Sequence, residues 1–228
     1  MARVQVRKPL PLSRRIIKAL LRPYLWLFHR LEMHGFDNIP IDGPLIVVLN
    51  HASLLDVPVL MVVDPFPDTL TVVKASMFKL PVVSWAIRQW GALPVEREGR
   101  DSSSVRAMLS ALRAGRPLAV AAEGRRTRSG RLEPINPVLA RIAAGANVPL
   151  LPVGISGSFE AMPPGAILPR PHKIVVRVGP TFRLPHGTDA AGAADRIRAE
   201  IAALLPPEMQ PIDQERVSSP SRSGLKTG

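Results

Sequence analysis

Six short apolar runs constrain this chain more than any other feature: "LIVVLN" (45–50), "LTVVK" (70–74), "GALPVER" (91–97), "PLAVAAEG" (117–124), "VPLLPVGIS" (148–156) and "KIVVRVG" (173–179). They are rich in valine, leucine and isoleucine and bounded by turn residues, which is the pattern of strands buried on both faces. Helical patterns lie between them. "DSSSVRAMLSALRA" (101–114) opens on capping residues, sets Val105, Met108, Leu109 and Leu112 on one face, and stops at Gly115. Residues 136–145 and 188–205 read as helices, 52–63 includes one, and 76–90, with Pro81 inside, reads as helical pieces. This alternation predicts an α/β fold with a mixed, largely parallel sheet flanked by helices.

A chain of 228 residues with 46% hydrophobic content can bury one sizeable core. Three regions are expected: basic amphipathic helices over 1–31, the α/β domain over 32–205, and a disordered tail over 206–228, where Pro, Ser, Gln and charge dominate. The absence of cysteine excludes a disulfide framework, thiol catalysis and cysteine-ligated zinc. No histidine pair has zinc-ligand spacing, so no metal site is expected.

The net charge of +12 points to an anionic partner. Residues 1–31 carry eight Lys or Arg and no acid before Glu32. At roughly 100° per residue, Arg14, Arg15, Lys18 and Arg22 share one arc, and Ile17, Leu20, Leu21, Tyr24, Leu27, Phe28 and Leu31 fall opposite. Pro23 is expected to split this segment into two short helices. A basic face, an apolar face, Trp26 and Tyr24 suit a helix lying in a membrane surface; a helix docked on the protein's own core with a solvated basic side is the alternative. No apolar run approaches the ~20 residues that cross a bilayer, and no signal-peptide cleavage pattern follows.

"VVLNHASLLDVPVL" (47–60) places His51 and Asp56 in an oily segment, where an unpartnered polar group is costly. The pair reads either as a satisfied polar contact at a strand end or as a general base with the carboxylate that orients it. Three other runs end in cations: Lys74, Arg97, and Arg125, Arg126 and Arg128. Converged on one phosphate, they form strong charge-assisted contacts. Glu123 is expected to orient these arginines. There is no P-loop, and "GISGS" (154–158) has Ser158 where a nucleophile elbow requires glycine. "GRRTRSGR" has the charge of an RNA-binding patch but no stacking aromatic within it, so no nucleic-acid partner is expected.

These segments, in this order, resemble the PlsC-like glycerolipid acyltransferases over roughly residues 31–185. The family's Asn-His-x4-Asp motif is matched by Asn50, His51 and Asp56, and its Gly-strand-Arg motif by "GALPVER" with Arg97. "VVKASMFKLPVVSW" resembles the Lys-bearing segment, with Lys74. Phe-Pro-Glu-Gly-Thr-Arg-Ser is matched by "AAEGRRT", where Glu123, Gly124 and Arg126 align, and Val-Pro-hydrophobic-x-Pro-Val by "VPLLPVG". The departures are Ala121-Ala122 for Phe-Pro, Arg125 for Thr and Thr127 for Ser.

The resemblance implies a glycerol-3-phosphate acyltransferase-like fold and transfer of an acyl group from acyl-CoA or acyl carrier protein to a lysophospholipid hydroxyl, with 1-acyl-glycerol-3-phosphate foremost. His51 would be the base and Asp56 its orienting group. Asn50, Lys74, Arg97, Glu123, Gly124, Arg125 and Arg126 would line the substrate. No cofactor beyond the acyl donor is expected, and the enzyme would sit peripherally or monotopically on the cytoplasmic face of the membrane. Arg125 keeps another lysolipid, such as a lyso-ornithine lipid, open as acceptor. A non-catalytic basic adaptor for membrane or nucleic acid is the remaining alternative.

Overall fold

A computed structural model describes residues 10–40, 43–95 and 102–211. The elements are α1 (Leu12–His29), β1 (Glu32–His34), β2 (Ile46–Leu49), α2 (Asp56–Val63), β3 (Leu70–Lys74), α3 (Pro81–Gln89) and β4 (Ala92–Val95). They continue with α4 (Ser102–Arg113), β5 (Leu118–Ala121), α5 (Pro137–Ala146), β6 (Leu150–Ser156), α6 (Ser158–Ala161), β7 (Val175–Val178) and α7 (Ala190–Ala202). All six expected strands form, shortened by up to four residues, and the short β1 joins them.

The seven strands make one sheet in the order β1-β7-β6-β2-β5-β3-β4. Strands β6, β2, β5, β3 and β4 are mutually parallel, β7 runs antiparallel to β6, and β1 follows β7. The sheet is therefore largely parallel and mixed at one edge, as the alternating pattern predicts.

Side chains leave each strand on alternate faces, so every central strand feeds two cores. Val47, Leu49, Ala119, Leu151 and Val153 face one side, packed with Leu25 of α1 and Val59, Val62 and Val63 of α2. Ile46, Val48, Leu118, Val120 and Leu150 face the other, against Met108 and Leu112 of α4, Leu139 and Ile142 of α5, and Ile197 and Ile201 of α7. Both faces being covered is why these strands are continuously apolar.

α1 departs from expectation twice. It is one helix that runs through Pro23. Its second half is held by packing that outweighs the lost N–H: Leu25 is fully buried, and the buried His29 ring donates from Nδ1 to the His172 carbonyl at 3.2 Å and meets the Tyr24 hydroxyl through Nε2 at 3.0 Å. Part of its basic arc also turns inward. Arg14, expected on a solvated arc, is buried and donates to the carbonyls of Phe66 (2.8 Å), Gln89 (2.8 Å) and Thr69 (3.4 Å), with its guanidinium 5.1 Å from the Trp90 ring. Lys18 donates to the Asp64 carbonyl. Leu12, Ile16, Leu20, Trp26 and Leu27 instead face outward.

Asp64, at the end of α2, sits at the centre of this contact. Its carboxylate accepts from the Phe66 amide (3.1 Å), Thr69 Oγ1 (3.0 Å) and Trp90 Nε1 (3.1 Å), with Arg14 Nη1 at 3.9 Å. Burial pushes the Asp64 carboxyl up, opposed by the Phe66 amide, Lys18 and Arg14.

The C-terminal boundary also moves. Residues 206–211, expected in the disordered tail, pack on the core: Met209 is buried, its carbonyl accepts from the Leu132 amide at 2.9 Å, and the Gln210 side chain donates to the carbonyls of Ala202 and Leu205. One buried methionine outweighs a polar composition. The rest of the expected tail lies outside the described residues, as do residues 1–9 of the N-terminal segment.

Arg14→Ala strips a buried carboxylate of a cationic neighbour and leaves three carbonyls short of a donor. It is expected to lower stability by about 3–5 kcal/mol, measured from the urea unfolding midpoint.

Candidate active site

The parallel strands deliver their carboxyl ends to one edge, where α/β proteins place reactive groups. β2 leads into Asn50 and His51, and β5 leads into Glu123 through Arg126. Their register pairs Leu49 with Ala121. Counted from the Thr71–Ala119 pair, Lys74 comes level with Ala122. Arg97 follows β4 and lies outside the described residues. The site is thus assembled from adjacent strands rather than from one loop.

His51 and Asp56 meet because the chain turns tightly between β2 and α2. Asp56 Oδ2 accepts from the backbone N–H of Ala52 and of Ser53, both at 2.8 Å, and from His51 Nδ1 at 2.8 Å. An oxygen already accepting two backbone donors takes a third donor, so the hydrogen sits on Nδ1 and Nε2 carries the lone pair. The Asp56 side chain is 2% exposed and that of His51 is 20% exposed. Among the described residues nothing hydrogen-bonds Nε2, which leaves a basic nitrogen at the edge of the sheet.

Asn50 plays another part than expected. Its amide donates to the Ile155 carbonyl at 2.8 Å and accepts from the Ile155 amide at 2.7 Å, and it is almost fully buried. Both ends of the side chain are spent on β6. Asn50 locks β2 to β6 behind the histidine and does not face a substrate.

The loop after β5 folds back on the same turn. The Ala122 amide donates to the Leu49 carbonyl at 2.7 Å and the Thr127 amide to the His51 carbonyl at 2.9 Å. Gly124 makes the bend at φ +73, and a Cβ there would stand 2.4 Å from Asn136 Nδ2. Asn136 caps α5, its side chain accepting from the Val138 amide.

The bend separates Glu123 from the arginines it was expected to orient. Glu123 turns inward, 6% exposed, and neither carboxyl oxygen has a hydrogen-bond partner. Its carboxyl is pushed up to about 8, chiefly by burial, with added repulsion from Glu133 and Asp56. Arg125 points out and pairs with Glu133 at 2.8 Å, and Thr127 Oγ1 lies 3.4 Å from the same carboxylate. Glu133 is the orienting acid, which the motif reading missed because it lies six residues beyond the motif. Arg126 is half-buried, Lys74 is exposed, and neither has an ion pair among the described residues. No cluster of three metal-ligating side chains occurs among the described residues.

Comparisons with known proteins place the family and the fold. A family model described as Acyltransferase matches residues 30–156. A chloroplastic 1-acyl-sn-glycerol-3-phosphate acyltransferase of Brassica napus is 28% identical over 145 residues, covering 62% of this chain and 42% of that protein. The Arabidopsis thaliana counterpart is 26% identical over 186 residues, covering 79% and 51%. The chain spans about half the length of these relatives. The crystal structure of the 1-acyl-sn-glycerophosphate acyltransferase PlsC from Thermotoga maritima superimposes with a TM-score of 0.73 at 25% identity, covering 84% of this chain and 78% of that one.

The Glu123 carboxyl, whose folded value is raised from 4.5 to about 8, keeps its proton in the fold across that interval while the unfolded chain ionises. Stability therefore falls as pH rises from about 5 to about 8, because the folded chain holds the proton that the unfolded chain releases. Glu123→Gln is expected to flatten this slope, read from urea midpoints at pH 5 and pH 8.

Proposed function

Since this chain belongs to the acyltransferase family, we propose that it moves a fatty acyl group from an acyl thioester, acyl-CoA or acyl carrier protein, to the free hydroxyl of 1-acyl-glycerol-3-phosphate, forming phosphatidic acid. The observation that carries this reading is the oriented histidine: Nδ1 fixed on Asp56 at 2.8 Å and Nε2 without a hydrogen-bond partner among the described residues. Nε2 takes the proton of the acceptor hydroxyl as its oxygen attacks the thioester carbonyl. The resulting imidazolium is stabilised by Asp56, and its proton passes to the departing thiolate as the tetrahedral intermediate collapses. The acyl group transfers directly, so no enzyme nucleophile takes part.

Arg126 and Lys74, with Arg97, hold the acceptor phosphate and keep its hydroxyl near Nε2, which lowers the barrier by proximity. These cations favour a phosphomonoester acceptor over a zwitterionic lyso-ornithine lipid. Arg125 is committed to Glu133 and does not redirect the choice. At neutral pH Glu123 retains its proton and offers both a donor and an acceptor to the glycerol portion.

α1 supports membrane docking. No helix among the described residues is long and apolar enough to cross a bilayer. α1 instead presents Leu12, Ile16, Leu20, Trp26 and Leu27 outward, with the exposed Arg15 and Arg30 on the same helix or at its end. This fits a helix in the interface of the cytoplasmic leaflet, where the lysolipid resides.

Thiol release from acyl-CoA, assayed with a panel of lysolipids, should appear only with an acceptor and be fastest with 1-acyl-glycerol-3-phosphate. Acceptor-independent binding with no turnover would instead support a basic adaptor. His51→Ala is expected to lower kcat by about 10²–10⁴ with folding retained, and near-normal transfer would overturn the mechanism. Arg126→Ala is expected to raise KM for the phosphorylated acceptor roughly tenfold or more, as loss of one charge-assisted contact implies. An unchanged KM would remove Arg126 from the phosphate site.

A further inference from the structure

Outside the candidate site, the most exposed aliphatic pair among the described residues is Ile167 (90%) and Leu168 (79%), in the loop that joins α6 to β7. We propose that this loop is a second bilayer contact: a rigid wedge that enters the headgroup region of an anionic membrane beside α1. The proposal rests on the membrane-enzyme reading above.

The loop is built to hold its tip out. Pro163, Pro164, Pro169 and Pro171 stiffen it. A turn closes from the Ala166 amide to the Pro163 carbonyl at 3.0 Å, with Gly165 at φ +88. Arg170 fastens the returning strand, its amide donating to the Ala161 carbonyl (2.8 Å) and its Nε to the Glu160 carbonyl (2.7 Å). A preformed apolar tip has little conformational entropy left to lose on insertion.

Its position joins it to both membrane helix and site. The His172 carbonyl accepts from His29, and the Ile174 amide donates to the His29 carbonyl at 2.9 Å, which sets the loop beside the end of α1 that exposes Trp26, Leu27 and Phe28. At the other side of its base, the Met162 carbonyl accepts from Ser53 Oγ at 2.9 Å, two residues beyond His51. Arg30, Arg170 and Lys173 are exposed nearby; the acids there are Glu32, paired with Lys173 at 2.8 Å, and Glu160. Exposed aliphatic side chains flanked by Arg30 and Arg170 suit an anionic lipid surface.

The test uses the full chain and vesicles of phosphatidylcholine with phosphatidylglycerol. I167S/L168S removes only exposed side chains, and an unchanged unfolding midpoint checks that the fold is intact. Vesicle co-sedimentation is expected to weaken about tenfold or more. Acyl transfer to vesicle-borne lysophosphatidate should fall in step, while transfer to a short-chain, monomeric lysophosphatidate stays at the wild-type rate. Because the chain has no cysteine, Ile167→Cys provides a single site for an environment-sensitive dye, whose emission should shift to the blue on adding vesicles. Unchanged sedimentation of the double variant, or a dye that senses only water, overturns the wedge. A wild-type protein that sediments through this loop but acylates no lysolipid would overturn the enzymatic reading and leave the wedge standing.

Discussion

A single oxygen, Oδ2 of Asp56, gathers the N–H groups of His51, Ala52 and Ser53, and the geometry around it follows. Two of these bonds shape the turn that carries the chain from β2 into α2. The third fixes the orientation and tautomer of the imidazole. The carboxylate also sits in the first turn of α2, where the helix dipole favours negative charge. Around this centre the Asn50 amide ties the end of β2 to β6, and the Thr127 amide ties the β5 loop to the His51 carbonyl. The backbone around the ring is held from both sides, and among the described residues Nε2 makes no hydrogen bond.

The two buried acids near this turn are treated in opposite ways. Asp56 receives three donors on one oxygen, whereas Glu123 receives none on either. Burial pushes the Glu123 carboxyl up to about 8. Gly124 makes the difference possible. Its left-handed bend sends Glu123 inward and Arg125 outward, so residues two apart in sequence occupy different environments.

The strands and most helices were legible because hydrophobic period and turn residues act locally. β3 matches its expected span of 70–74, and α4 and α5 match theirs to within a residue or so. The His51–Asp56 contact was legible as a motif, since its spacing fits one tight turn. What the sequence concealed depends on partners far along the chain. Arg14 lies 75 residues from the Gln89 carbonyl that helps bury it, and Asn50 lies 105 from Ile155. Helical-wheel logic assigned Arg14 and Lys18 to solvent because it knows the apolar and basic arcs but not which of them meets the protein. Pro23 was read as a breaker because its propensity is local, whereas the packing of Leu25 and His29 is not. Glu123 was assigned to the arginines by proximity in sequence, and the bend at Gly124 undoes that proximity.

The mixed polarity of α1 bears on how the proposed membrane contact would act. A helix whose cations were its outer face could peel away to the membrane and leave a folded domain behind. Here Arg14 and Lys18 are hydrogen-bonded to the protein interior beside the buried Ile17 and Leu25, and Leu12, Ile16, Leu20, Trp26 and Leu27 are left outside. If lipid binds that outer face as proposed, binding adds to the free energy that keeps α1 seated, by the same mass-action linkage through which any ligand of the native state stabilises it. A bilayer would then act as a folding ligand, with detergent or lipid among the conditions under which stability is defined.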